Sequence, residues 1–162
     1  MSAKISIKST PPEAITTTTP QPDAAELSLN EVRIRFPGRV AMAVDDEECI
    51  VLEDAPLIGV VVELATSLLR LKQGAHSAEV VDFYGEYKLV FRETGETLEC
   101  ENEFTSQKCR APSTTFRAAA QTWCNDTLAD VEKRHTNILK NPNYQRLKTH
   151  IADTWRDQRS AD

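Results

Sequence analysis

From Thr97 to Phe104 the chain alternates without a break. Leu98, Cys100, Asn102 and Phe104 interleave with Thr97, Glu99, Glu101 and Glu103. A period of two places the first set on one face of a β-strand and the carboxylates on the other. Such a strand needs neighbours to pair with and a second layer to cover its apolar face. Other segments supply both. Val32, Ile34 and Phe36 alternate with Arg33 and Arg35, and Pro37-Gly38 reads as the turn that follows. Val40, Met42 and Val44 continue the alternation. Asp45, Asp46, Glu47 and Glu48 are too charged to bury and form a turn, and Cys49 to Glu53 forms a third strand of an antiparallel meander. Val80 to Tyr84 and Tyr87 to Phe91 read as two more strands around Gly85, and Glu93-Thr94-Gly95-Glu96 as a hairpin turn.

Helices are signalled by proline and by a different period. Pro56 suits a first helical turn, where its missing N–H has no partner anyway. The segment Leu57 to Gln73 has an apolar face that Val60 and Val62 widen, so its first half should be nearly buried all round, with Gly74 as its stop. Glu63 lies inside this run, either facing solvent or partnered where it is buried. Ser113 reads as the cap of a long helix through Phe116, Ala120, Trp123, Leu128, Val131 and Ile138, continuous from Thr114 to Lys140. After Asn141-Pro142-Asn143, Tyr144, Leu147, Ile151 and Trp155 mark a last amphipathic helix. Residues 1–26, rich in proline and threonine, read as a disordered arm in which only Ile5 and Ile7 hint at a strand. The expected fold is therefore one α+β domain over residues 27–162. It has a mostly antiparallel sheet of five to six strands, with a central helix and a long C-terminal helix packed on one face.

Charge narrows the functional classes. The 162 residues carry −6 with neutral histidines, which argues against a nucleic-acid coat. The charge is uneven: residues 29–110 hold nine basic and sixteen acidic side chains, and residues 111–162 hold eight and six. No apolar run reaches the ~20 residues that span a bilayer. No apolar core of ~7–15 residues follows the first lysines, so the expected compartment is the cytoplasm. Cys49, Cys100, Cys109 and Cys124 form no close pair, and in a reducing compartment they are expected to be packed free thiols.

No set of residues with catalytic spacing appears. The five glycines are dispersed rather than gathered in a phosphate loop, and His76, His135 and His150 lie far apart. Cys124 and His135 share a helix, but eleven residues separate them by roughly 16 Å, too far for direct proton transfer. The acidic run at Asp45 lacks the alternating ligands and glycine of a calcium loop. The expectation is a protein that is not an enzyme, with no metal and no cofactor.

In layout, residues 29–140 resemble the small acidic immunity proteins of bacterial polymorphic toxin systems. The shared features are a strand-rich start, a Pro-led apolar helix (Pro56 to Leu71), a hairpin, and a long helix opening near an aromatic (Phe116). The resemblance implies a non-catalytic inhibitor that covers the active site of a basic toxin acting in the cytoplasm. The implied contact residues are Glu99, Glu101, Glu103, Asp45, Asp46, Glu47 and Glu48. Two other classes stay open. One is an adaptor, chaperone or homodimeric subunit that uses an apolar patch on the last helix through Tyr144, Leu147, Ile151 and Trp155. The other is a small enzyme with an unrecognised pocket.

Overall fold

The computed structural model describes residues 3–10 and 23–160. It is an α+β structure with seven strands in two antiparallel sheets. The first sheet has the order β1 (Ile5–Thr10), β2 (Pro37–Val44), β3 (Glu47–Pro56). The second has the order β4 (Ala78–Val81), β5 (Lys88–Thr94), β6 (Thr97–Asn102), β7 (Gln107–Pro112). Four α-helices accompany them: α1 (Leu29–Ile34), α2 (Leu57–Lys72), α3 (Ser113–Arg134) and α4 (Pro142–Ser160).

The two sheets are built by one device used twice. A hairpin ends in Ala55-Pro56 and runs straight into α2; another ends in Ala111-Pro112 and runs straight into α3. Each proline keeps an extended backbone and stands at the N-cap without a side-chain cap. The first helical N–H then finds the carbonyl just before its own hairpin. Leu57 N donates to Phe36 O at 2.9 Å, and Ser113 N donates to Glu96 O at 2.8 Å. Proline fits here because it presets φ and has no donor to leave unpaired. The helices then cross over: α2 lies against β4 and α3 against β1, the outer strands of the opposite sheets. Ser67 Oγ donates to Glu79 O (3.1 Å) on one side, and the hydroxyls of Ser9 and Thr127 meet on the other.

The core lies between these layers. Leu89, Phe91, Leu98 and Cys100 of the second sheet meet Phe116, Ala120 and Cys124 of α3 and Val61, Leu64 and Leu68 of α2 in one continuous cluster. Phe91 and Phe116 pack edge to face, with ring centres 6.1 Å apart. Fully buried Asn141 ties the segment before α1 to the start of α4. Its amide nitrogen donates to Ala24 O and Leu27 O, while its oxygen accepts from Asn143 N and Tyr144 N at the start of α4.

Several expectations are corrected. Val32 to Phe36 is not a strand. Ser28 and Glu31 form a reciprocal capping box that starts α1, which places Val32 inward and leaves Arg35 at the C-cap. Pro37 and Gly38 open β2 rather than turning the chain; Glu47 and Glu48 belong to β3, and the turn is Asp45-Asp46, both with positive φ. Val80 to Tyr84 and Leu98 to Phe104 are cut short at Val81 and Asn102. β7 was not expected at all, so the strand count exceeds five to six and the sheet is two sheets. Pro112, not Ser113, takes the N-cap of α3, and that helix stops at Arg134 instead of Lys140. His135 leaves the helical conformation and packs its ring against Phe36 at 4.8 Å. Ile5 to Thr10, inside the expected arm, pairs along its whole length with β2 as the outer strand β1; residues 11–22 lie outside the described residues.

The cysteines are not all free. Cys49 of β3 and Cys109 of β7 form a disulfide that ties the first sheet to the second. Beside it, Val51 N donates to Gln107 Oε1 at 3.4 Å. Cys100 and Cys124 are free and buried, and burial pushes both thiols well above their ordinary pKa.

Candidate protein-binding site

The carboxylate stripe is shorter than expected and largely engaged: Glu99 and Glu101 share one face of β6, with Glu99 opposite Arg110 and Glu101 opposite Lys108 on β7, while Glu103 lies in the turn that follows. Arg92 and Lys108 both pair with Glu101, at 3.3 and 3.6 Å, and Lys88 pairs with Glu103 at 3.1 Å. The second acidic group sits on the other sheet. Arg39 reaches Glu48 at 2.7 Å, which with burial opposing it holds that carboxyl below its usual range. Asp45 Oδ1 accepts Lys4 N at 2.9 Å. Asp46 and Glu47 are exposed. The seven carboxylates therefore fall into two groups on separate sheets. Arg33 and Arg35 pair with neither group; they bind Glu63 and Glu31 instead.

Of the four residues of the last helix named for an apolar patch, Tyr144, Ile151 and Trp155 are buried against the rest of the protein and Leu147 is partly buried. The Tyr144 hydroxyl donates to Glu132 Oε1 of α3 at 2.8 Å.

A different surface stands out by its aromatic residues. Two Trp, three Tyr and five Phe make ten. Seven are buried; the other three are Phe83 (69% exposed), Tyr84 (70%) and Phe104 (57%). All three lie at one end of the second sheet, on the β4–β5 turn and the β6–β7 turn. The register Val81↔Lys88, Leu89↔Asn102, Asn102↔Gln107 places those turns side by side, about 10 Å apart. Val81, also exposed, adjoins them.

Buried side chains hold both turns in shape. Asp82 Oδ2 accepts Tyr84 N (3.1 Å) and Glu86 N (3.0 Å), and Gly85 supplies the positive φ. Asn102 Oδ1 accepts Phe104 N (3.2 Å), while its carbonyl accepts Ser106 N (2.8 Å). Glu103 N donates to Lys88 O and joins one turn to the next strand. The Phe83 and Tyr84 rings meet edge to face at 5.2 Å. The exposed rings thus stand on fixed backbone, which lowers the ordering cost of any contact they make. Around them, residues 79–88 and 103–106 hold Glu79, Asp82, Glu86 and Glu103 against a single basic residue, Lys88.

Beside this surface a cavity of about 250 Å³ opens between α1, the start of α2 and the β4–β5 turn. Ile34, Pro56, Val81 and Phe83 form its apolar walls, and Asn30, Arg33, Glu63 and Tyr87 supply polar groups. Gly59 permits the close approach of the helices: a Cβ there would meet Arg33 O at 3.0 Å. Glu63 is the partnered carboxylate. Its Oε1 meets Arg33 Nη2 at 3.2 Å and its Oε2 accepts Val81 N at 3.3 Å. Burial raises its pKa against the opposing pull of Arg33.

Sequence reasoning missed this region because Phe83, Tyr84 and Phe104 continue apolar alternations and so read as core. The available signal was turn chemistry: Asp82 three residues before Gly85, and Asn102 at the end of the carboxylate strand. Among the described residues no group of three or more His, Cys, Asp or Glu side chains could hold a metal ion, and no helix is long and apolar enough to cross a membrane. No family model matches the chain, and no curated protein or solved structure matches it either.

Proposed function

We propose that this is a non-catalytic protein-binding module whose contact surface is the aromatic end of the second sheet. The observation that carries the reading is the placement of Phe83, Tyr84 and Phe104 on two rigid, adjacent turns while the other seven aromatic residues are buried. Exposed aromatic anchors on fixed backbone are the usual source of binding energy at protein interfaces. The acidic residues around them select a basic partner and speed its encounter. In its sharper form the proposal keeps the immunity reading: the partner is a toxin and binding neutralises it. The carboxylates Glu99, Glu101 and Glu103 then steer the partner, and the aromatic turns hold it. The Cys49–Cys109 bridge favours a meeting in an oxidising compartment over the cytoplasm.

The test uses the double variant Tyr84→Ala/Phe104→Ala. Both side chains are exposed, so stability should stay within about 0.5 kcal/mol of the parent. The parent should capture a basic protein from its native host and hold it when purified, and the variant should weaken that binding by about thirtyfold or more. A variant that binds the partner as tightly as the parent would remove the aromatic turns from the account. Loss of self-association in the variant, with no other protein bound, would instead make the surface a homodimer contact.

A further inference from the structure

We propose that the cleft between α1, α2 and the β4–β5 turn is a socket for a basic side chain of the partner, an arginine in preference to a lysine. The proposal rests on the protein-binding reading above and names what the partner places beside the aromatic turns.

Size is the first argument. At about 250 Å³ the cleft falls just below the range of sites for drug-sized ligands, and it suits one side chain rather than a whole cofactor. Charge is the second. Glu63 lines the cleft, and the charges of Asp82 and Glu86, just outside the lining, act on the Tyr87 hydroxyl within it. Burial raises the pKa of the Tyr87 hydroxyl, and the charges that act on it, from Asp82, Glu63 and Glu86, raise it further. Glu86 forms no ion pair among the described residues. The one cation in the lining, Arg33, stands at Glu63 Oε1. Unfilled bonding capacity is the third argument. The two hydrogen bonds of Glu63, at 3.2 and 3.3 Å, leave lone pairs on both oxygens, because a carboxylate offers about four acceptor sites. The Phe83 ring supplies an apolar wall on which a planar guanidinium can stack, an arrangement that favours arginine over the compact lysine ammonium. A partner carboxylate would meet Glu63 in the lining and the field of Asp82 and Glu86 behind it, and a purely apolar side chain would leave the polar wall unmatched.

The probes are the N-acetyl methylamides of arginine, leucine and glutamate, each titrated into the full chain and followed by amide NMR. The arginine probe should give saturable shifts at Gly59, Glu63, Val81, Phe83 and Tyr87, with the leucine and glutamate probes at least about fivefold weaker. Phe83→Ala and Glu63→Gln should each weaken the arginine probe by about three- to fivefold. Arg33→Gln should strengthen it, since a like charge is removed. Gln at position 63 can still accept Val81 N, and unchanged shifts at Phe91 and Phe116 report an intact core. No saturable shift from the arginine probe, equal or tighter binding of either other probe, or weaker arginine binding in Arg33→Gln would each overturn the socket. None of these results touches capture through Tyr84 and Phe104, so the two proposals fail separately.

Discussion

Reduction of the Cys49–Cys109 disulfide should cost this protein a large fraction of its stability. The bridge closes a loop of 60 residues between two sheets that share no backbone ladder. Chain-entropy reasoning gives an unfolded-state restriction of about 14 cal/mol/K for a loop that long, or about 4 kcal/mol at 25 °C. Domains of this kind are stable by about 5–15 kcal/mol in all, so the loss is a third or more of a typical value. It should lower the melting temperature by about 10 °C. Oxidised and reduced protein can be compared by urea unfolding at equal pH. Cys49→Ala/Cys109→Ala should match the reduced form and lose its response to reductant. Thiol titration of the denatured, unreduced chain should find two free thiols, Cys100 and Cys124. Four thiols in protein from an oxidising preparation, or a stability change under about 1 kcal/mol on reduction, would refute the reasoning. The two sheets would then be held by the shared core alone.

Two further predictions concern contacts between helices. Arg117 of α3 donates to Leu68 O at 2.7 Å, Gln158 Oε1 at 3.0 Å and Glu93 Oε2 at 2.9 Å, so one largely buried guanidinium joins α2, α4 and β5. Arg117→Ala should cost about 3 kcal/mol in chemical denaturation, because Glu93 and the buried Gln158 oxygen lose their partner; a cost below about 1 kcal/mol would show that water replaces the guanidinium. Burial alone would raise the pKa of Glu132, but hydrogen bonds from Lys148 and Tyr144 outweigh it and hold the carboxyl below its usual range. A carboxyl with a depressed folded pKa contributes stability above its unfolded value and loses it as pH falls through the folded one. Glu132→Gln should therefore cost about 1 kcal/mol near neutrality and flatten the acid limb of a stability–pH curve. An unchanged acid limb would assign acid sensitivity to other carboxylates.

What could be read from the sequence depended on how many physical signals agreed at each segment. At α2, the proline, the apolar face and Gly74 all point to one helix, and its bounds fall within one residue of the expectation. At β6, strict alternation sufficed. At Val32 to Phe36 two signals conflict: the residues alternate as in a strand, but Ser28 and Glu31 lie at capping-box spacing. The box prevails because Val32 is fully buried in a helical turn and Pro37 can still open the next strand. β7 was missed because Gln107, Lys108 and Arg110 leave only Cys109 and Ala111 for its inner side. The disulfide was unreadable for a different reason. Four cysteines allow three pairings, and only the arrangement of the two sheets brings residues 49 and 109 together.

The repeated hairpin–proline–helix unit gives an internal reference for what the fold requires. Both units need an Ala-Pro junction, a first helical N–H returned to the hairpin's start, and a helix that covers the opposite outer strand. Neither need involves an exposed ring. The hairpin turn of the first unit is Asp45-Asp46, two residues with positive φ and no apolar side chain. The equivalent turn of the second unit, between β6 and β7, carries Phe104, and the neighbouring turn before β5 carries Phe83 and Tyr84. The same architecture closes in the first unit without aromatic residues, so their presence in the second is not a condition of folding. Replacing Glu103-Phe104-Thr105-Ser106 by an Asn-Gly turn, which suits a two-residue hairpin, should accordingly leave melting within about 2 °C of the parent, while partner binding falls as it does for Tyr84→Ala/Phe104→Ala. If that exchange unfolded the protein, the rings would be serving the sheet end rather than a partner.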